Sequence, residues 1–266
     1  MLVFLIVPTV TVVIGAFQTA DGGFTLGNID ALGSDAAIRA LRNSVILSGS
    51  TAVIGAVLGA LLSYLILSLG PQSLLRRATL SVCGVLAQFG GVTLAFAFIS
   101  LFGFSGVITE MARGLGDGYD IVGSGWLYGL RGLILVYVYF QIPLMVIVFT
   151  PALDGLRPQW REAAVNLGAT TPQYWRQVGI PLLTPAFLGS MLLLFANAFA
   201  AYATAAVLVS QGNPITPLFI RSALTSEVLL GQANLGFALA LEMIVVVAVV
   251  MGLYALLLRR TSRWLR

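Results

Sequence analysis

The sequence predicts an all-α protein that crosses a membrane six times. Of its 266 residues, 59% are hydrophobic and 9% are charged, and the mean hydropathy is +0.99. Soluble domains carry about 25% charged and roughly 45–50% apolar residues. A soluble fold of this length cannot bury so much apolar surface. The apolar residues also fall into six stretches, and the arginines concentrate in alternate connections between them. We therefore expect an integral membrane protein.

Each predicted span is a window near the roughly 20 apolar residues that a helix needs to cross a bilayer. The six windows are Leu2–Phe17, Val45–Leu69, Leu80–Phe102, Leu133–Pro151, Leu183–Val209 and Leu235–Leu258. The first window is short, and a cleaved signal peptide is the alternative interpretation. That window has neither a basic leader nor a small-x-small cleavage site, which favours a span. We expect one transmembrane domain, residues 1–266, with a polar loop at 154–181.

The arginines predict the orientation of the six spans. Nine arginines and two acids fall on one side of the predicted membrane, for a net charge of +7. The opposite side has five arginines and seven acids, for a net charge of −2. Cytoplasmic connections are enriched in Lys and Arg. We therefore expect the arginine-rich side, with both chain termini, to face the cytosol.

The charged residues also limit the chemistry. All 14 basic residues are arginine, so a lysine-containing phosphate-binding loop is excluded. Histidine, the commonest general base and metal ligand, is absent. The single cysteine, Cys83, allows no internal disulfide and no multi-cysteine metal site. We expect no catalytic residue, cofactor or metal on this chain, and no nucleic-acid partner.

The loop at 154–181 is predicted to contain two short helices. Pro158 suits a first helical turn, and residues 159–167 have good helix propensity. Gly168 suits the residue after a helix, where φ is positive. Thr171 is a candidate N-cap for the second helix, with Pro172 at its first position.

Large apolar groups are unusually frequent in this loop. A loop that only connects two spans would carry fewer large apolar side chains. We expect the four in this loop to be exposed: Trp160, Leu167, Tyr174 and Trp175. Apolar surface surrounded by charge is typical of a docking surface. A helix lying flat on lipid headgroups, anchored by tryptophans, explains the same composition equally well.

The loop resembles the EAA motif of permease subunits of binding-protein-dependent ABC importers, E-A-A-x3-G-x9-I-x-L-P. Glu162, Ala163, Ala164 and Gly168 match it, and Pro181 closes it in register. The I-x-L positions read Val178-Gly179-Ile180, which departs from the motif conservatively. Six spans with this loop between the fourth and fifth resemble the type I importer core.

The resemblance implies a cytosolic coupling helix that docks on a separate ATP-hydrolysing subunit. Glu162 would face that subunit, Ala163 and Ala164 would allow close approach, and Gly168 would make the turn. ATP and Mg²⁺ would bind to the partner. The implied assembly has two ATP-binding subunits, a second permease (homologous or identical) and an extracytoplasmic substrate-binding protein, in a bacterial inner membrane.

Five polar side chains within predicted spans are candidates for the translocation path: Gln88, Gln141, Asn197, Tyr202 and Glu242. Polar groups inside a membrane are costly and often mark a pathway. Glu242 is the one ionisable residue well inside a predicted span, and it suits a cationic cargo. The alternative for all five is a hydrogen bond between helices.

The leading hypothesis is therefore an importer permease, and an ion-gradient-driven secondary transporter is the alternative. The latter typically shows internal repeats, discontinuous helices and several buried ionisable groups. Here we detect no repeat and one such carboxylate. Among importers, diffuse similarity in the first span and after the fifth favours the polyamine, ferric-iron and phosphonate branch over the sugar branch.

Overall fold

The computed structural model describes residues 2–19, 21–70, 72–113, 125–209, 215–225 and 233–261. Within these ranges the chain is helical, with no strand beyond one isolated bridge between Gln18 and Phe24. The α-helices are α1 (Leu2–Ala16), α2 (Gly27–Asp30), α3 (Asp35–Leu67), α4 (Leu74–Gln88), α5 (Gly91–Phe102), α6 (Val107–Arg113), α7 (Leu130–Asp154), α8 (Pro158–Asn166), α9 (Thr171–Tyr174), α10 (Ile180–Ala200), α11 (Ala203–Leu208), α12 (Thr216–Thr225) and α13 (Ala233–Thr261).

Five helical segments in the described ranges are long and apolar enough to cross a membrane. They are Asp35–Leu67, Gly91–Arg113, Leu130–Asp154, Thr171–Ala200 and Asn234–Leu256. Each overlaps one of the predicted spans from the second to the sixth. The first predicted span corresponds to α1, which has 15 residues and is shorter than the other five. The all-α membrane fold is confirmed.

The prediction of one continuous third span was wrong. The chain leaves the helical conformation at Phe89 and Gly90, so that α4 ends before α5 begins. Gly91 has a φ of +73°, which side chains other than glycine rarely adopt. The mean hydropathy stays high across this break because glycine is nearly neutral on hydropathy scales. The Gly-Gly pair was the local signal of a break.

The fifth span was also predicted with the wrong ends. Helical structure begins at α9, passes through a π-helical turn over Trp175–Gly179 and continues to the end of α10. The chain then leaves the helix at Ala201 and Tyr202, and α11 is a separate short helix. The second helix of the loop is therefore continuous with the membrane-spanning helix that follows it.

The chain divides into two compact units, and the first contains Met1–Ser48, Gly91–Ile134 and Phe199–Val249. Its core includes Ala37 from α3, Ala223 from α12 and Leu235 and Leu239 from α13. Ser44 connects α3 to α12, because its Oγ accepts a hydrogen bond from the Thr216 backbone N–H at 2.8 Å.

The second unit contains Gly49–Gly90, Leu135–Ala198 and Val250–Arg266. Its core joins α3, α7 and α10 through Ala52, Ala56, Met145, Phe149 and Leu194, among others. The backbones of α3 and α7 approach closely at two glycines of α3: Gly55 lies beside Gln141, and Gly59 lies beside Met145. A Gly-x-x-x-Gly spacing such as that of α3 is typical of helices that approach each other closely.

Candidate functional site

Helix α8 is the most exposed helix of the 154–181 loop and has no buried residue. It follows Arg157, whose backbone is extended, and Pro158 occupies its first turn. The predicted helix at 159–167 is thus confirmed to within one residue at each end. Val165 is 60% exposed and Leu167 is 88% exposed. These apolar side chains, with Trp160 at 37% exposed, present surface that a partner can cover.

A glycine C-cap ends α8. The Gly168 N–H donates to the Val165 carbonyl at 2.9 Å, and the Ala169 N–H donates to the Ala164 carbonyl at 2.9 Å. Gly168 has a φ of +80°. This pair of bonds is the Schellman motif, in which a left-handed residue closes the last helical turn. The prediction of a positive φ at Gly168 is confirmed, and the turn fixes how far α8 extends.

The N-cap of α9 is Thr170, one residue before the predicted Thr171. The Thr170 backbone N–H donates to Oε1 of Gln173 at 2.7 Å, which forms a capping box. Thr171 and Pro172 then occupy the first two helical positions. The Thr-x-x-Gln spacing is the sequence signal that identifies this cap.

The prediction that Tyr174 and Trp175 are exposed was wrong. Tyr174 is 6% exposed. Trp175 packs against the core of the second unit and meets the Tyr64 ring edge to face, with centroids 5.4 Å apart. Gly179 makes room for it, since a Cβ on Gly179 would lie 2.5 Å from Trp175 Cε3. Trp175 therefore attaches the loop to α3, and Tyr174 contacts the Trp175 ring.

An ion pair that the sequence did not predict lies at the base of the loop. Nη2 of Arg76, in the first turn of α4, lies 2.7 and 2.6 Å from the two carboxylate oxygens of Asp154, the last residue of α7. The Arg76 side chain is 12% exposed and the Asp154 side chain 42%. The two residues are 78 positions apart, so no local pattern could have paired them.

The residues of the E-A-A segment divide between two places. Glu162 and Ala163 are exposed on α8, Ala164 is half-buried, and Gly168 forms the turn. Glu162 lines a shallow depression of about 400 Å³ with Arg161 and Val165. Pro181 lies apart from these four, as an exposed residue in the first turn of α10.

Two of the pathway candidates have hydrogen-bond partners. Gln141 is fully buried in α7, and its Nε2 donates to the Leu194 carbonyl of α10 at 2.8 Å. This contact matches the alternative of a bond between helices. Tyr202 lies at the break after α10, and its hydroxyl accepts a hydrogen bond from Nη1 of Arg221 at 2.7 Å. The Arg221 guanidinium also lies 6.0 Å from the centre of the Tyr202 ring.

The other three candidates differ in exposure. Gln88 is exposed at the C-terminal end of α4, and Asn197 is exposed on α10. Glu242 is half-buried on α13, and its Oε2 is buried with no hydrogen-bond partner among the described residues. A buried carboxylate oxygen without a hydrogen-bond partner is costly inside a membrane, and it can accept a hydrogen bond from a ligand.

The helices that begin after the two breaks contact each other within the first unit. α5 and α11 pack together, and Thr204 Oγ1 donates to the Gly91 carbonyl at 3.2 Å. A Cβ on Gly91 would lie 3.6 Å from the Cβ of Ala203. Backbone outside helices is tolerated at membrane depth where protein or a water-filled cavity surrounds it.

Comparison with known proteins agrees with this arrangement. A family model described as "Binding-protein-dependent transport system inner membrane component" matches residues 85–263, well over half of the chain. The match includes α8 and the Gly168 turn. The resemblance inferred from the E-A-A segment is therefore confirmed at the level of the family.

Three sequence relatives are permease proteins named for different solutes. The chain is 24% identical to the ferric transport system permease protein FbpB of Actinobacillus pleuropneumoniae over 205 residues, 77% of this chain and 29% of that protein. The thiamine transport system permease protein ThiP of Escherichia coli is 28% identical over 165 residues, 60% of this chain and 30% of that protein. The sulfate transport system permease protein CysT of Salmonella typhimurium is 34% identical over 124 residues, 46% and 40% of the two chains. This chain spans about a third of the length of these curated relatives.

Two solved structures share the fold. A chain of a bacterial ABC transporter involved in the import of the acidic polysaccharide alginate superposes with a TM-score of 0.78, at 19% identity, over 97% of this chain and 91% of that one. A chain of the MetNI methionine ABC transporter in an inward-facing conformation superposes with a TM-score of 0.62, at 15% identity, over 84% and 95%. The chain therefore has the type I importer permease fold and belongs to the family of inner membrane components of binding-protein-dependent transport systems.

Proposed function

We propose that this chain is the permease subunit of an ATP-driven ABC importer. It forms half of the translocation path and pairs with a second permease, homologous or identical. Two ATP-binding subunits supply the energy, and an extracytoplasmic binding protein delivers the solute. The family match and the fold of the two ABC transporters support this assignment.

The observation that carries the proposal is the exposure of α8. This helix presents Glu162 and Ala163 together with the exposed Val165 and Leu167. Small residues let a partner approach the helix backbone, and a carboxylate can pair with a basic group of that partner. The Gly168 turn and the packing of Trp175 join α8 to the helix that becomes α10. A push on α8 is thereby transmitted to a membrane-spanning helix.

In this proposal the chain itself hydrolyses nothing, and ATP and Mg²⁺ bind to the partner subunits. The lack of lysine agrees with that division, because a phosphate-binding loop needs one. The arginine distribution supports a cytosolic location for α8 and both termini in this proposal. Closure of the ATPase pair would move α8 and switch the path between inward- and outward-facing states.

The cargo in this proposal is a small charged solute. The names of the relatives refer to ferric, thiamine and sulfate transport, and all three solutes carry charge. The resemblance seen in the sequence favours the branch for polyamines, ferric iron and phosphonates over sugars. The solute retained by the binding protein of this system identifies the cargo directly.

Assembly with the ATP-binding subunit is the first test. Leu167→Asp places a charge at the tip of α8, and we expect it to reduce recovery of the ATP-binding subunit with the tagged chain by about tenfold or more. Leu74→Asp is the matched control, because Leu74 is 82% exposed and lies outside α8. Equal recovery with both variants, or solute uptake driven by an ion gradient without the ATP-binding subunit, would refute the proposal.

A further inference from the structure

A cleft in the second unit opens beside the base of α8. It has a volume of about 470 Å³, and its charged lining consists of Arg76, Arg157, Arg161 and Asp154. Three guanidinium groups thus face one carboxylate. Asp154 pairs with Arg76. Arg157 and Arg161 have no acidic group within 4.0 Å among the described residues, so the cleft keeps a net positive charge.

An apolar groove of about 410 Å³ continues from this cleft between α3, α7 and α10. Its walls include Val57, Leu61, Phe149, Leu183 and Phe187. The groove and the cleft share three lining residues: Tyr64, Leu153 and Trp175. Because they share these three residues, the two cavities are adjacent, and we refer to them together as one pocket with an apolar end and a cationic end.

Aromatic rings lie where the two ends meet. The Tyr64 and Trp175 rings are in edge-to-face contact and line both cavities. Tyr and Trp concentrate at the level of lipid headgroups, because the ring is apolar and its polar group can contact water. Along α3 the lining runs from Val57 through Tyr64 to Ser68, near the end of the helix. The pocket therefore changes from apolar to aromatic to cationic along the axis of a membrane-spanning helix.

We propose that this pocket binds one anionic phospholipid, with its phosphate in the arginine cleft and an acyl chain in the apolar groove. Guanidinium groups recognise phosphate oxygens through paired hydrogen bonds, and basic pockets between membrane helices bind anionic headgroups. A free anion would contact only the cationic end of the pocket, whereas a phospholipid would contact the apolar groove, the aromatic rings and the cationic end. The bound lipid would join α3 and α7 to the base of α8.

This inference requires that the chain is inserted in a membrane, and it does not depend on contact between α8 and an ATPase. The test therefore uses the full chain reconstituted alone in lipid vesicles, with no nucleotide. Trp175 is the reporter in a W126F/W160F/W264F background. Vesicles contain either brominated phosphatidylglycerol or brominated phosphatidylcholine at the same mole fraction, because bromine in an acyl chain quenches a tryptophan that it contacts.

We expect phosphatidylglycerol to quench Trp175 at a lower mole fraction than phosphatidylcholine does. R157Q/R161Q should abolish most of this preference. We expect the removal of each arginine to lower the binding constant for phosphatidylglycerol, relative to that for phosphatidylcholine, by about fivefold. R131Q is the matched control, since Arg131 is exposed and lies outside the pocket, and it should keep the preference. A60F fills the groove and should reduce quenching by both lipids.

Three results would overturn the proposal. Equal quenching by the two lipids in the parent chain would show no headgroup selection. Absence of quenching by either lipid would show that protein, such as a second copy of this chain, covers the groove. Binding of inorganic phosphate that R157Q/R161Q abolishes, together with equal quenching by the two lipids, would show a site for a free anion. If lipid selection is found while α8 recruits no ATP-binding subunit, the proposed function fails and this inference stands.

Discussion

The hydroxyl of Thr204 donates a hydrogen bond to the backbone carbonyl of Gly91, with 3.2 Å between the two oxygens. Gly91 begins α5 after the break in the third predicted span, and Thr204 lies in the first turn of α11 after the break in the fifth. Two interruptions that are distant in sequence are therefore adjacent in the fold. In secondary transporters, discontinuous membrane helices commonly form the substrate site, so this feature is one that the two classes of transporter can share.

The strained backbone at Gly91 gives the first prediction. Gly91→Ala introduces a Cβ at a φ of +73°, and this should destabilise the protein by about 1–2 kcal/mol. The measurement is thermal unfolding of the purified chain in detergent. Gly90→Ala is the control, because Gly90 has no positive φ and a Cβ there would meet its nearest neighbour at 3.9 Å. Equal melting temperatures for the two variants would show that the left-handed conformation is not required.

Close packing of α3 on α7 gives the second prediction. A methyl group at Gly59 would collide with the side chain of Met145 and the Ile142 carbonyl. Gly59→Ala should therefore cost about 1–3 kcal/mol through overpacking. Gly49→Ala, in the same helix, has nothing within 4 Å of the added Cβ. It should be neutral or stabilising, by up to about 1 kcal/mol, because alanine favours helix over glycine. The same loss from both variants would contradict the packing described here.

Most of the membrane-spanning structure follows from hydropathy, and its interruptions do not. A hydropathy window detects the apolar runs of α3, α7 and α13 because lipid and core both favour the same side chains. The breaks at Gly90 and at Tyr202 are accompanied by hydrogen bonds between distant segments, such as the one from the Thr204 side-chain hydroxyl to the Gly91 carbonyl. Side-chain hydropathy contains no information on those bonds.

The Arg76–Asp154 ion pair gives the third prediction. Because Asp154 is 42% exposed, water and salt screen the pair, and its coupling energy should be at most about 1 kcal/mol. A double-mutant cycle with Arg76→Gln and Asp154→Asn measures that energy in detergent at low and at high salt. We expect the coupling to shrink as salt rises. A coupling that is larger and independent of salt would mean that the pair is buried in the protein as it exists in the membrane.

The loop shows how far local sequence information extends. Gly168 and the helix before it are predictable because a Schellman motif uses only neighbouring residues. The burial of Tyr174 and Trp175 was not predictable, since it depends on contact with Tyr64 on α3. Position 179 requires a glycine because the Trp175 ring lies against its backbone, and the local sequence does not reveal that contact. The charged cleft likewise combines arginines from α4 and α8, which the sequence separates.

The central claim is that α8 couples this chain to ATP hydrolysis. The most direct measurement is the ATPase rate of the complete transporter in vesicles, with and without its solute-loaded binding protein. Glu162→Ala and Gly168→Ala should each reduce the stimulation by about tenfold, through loss of a charged contact and strain of a turn with φ of +80°. Glu110→Ala, which removes an exposed acid that pairs with Arg113 outside the loop, should leave it unchanged. If both loop variants assemble normally and show full stimulation, α8 is not the coupling element.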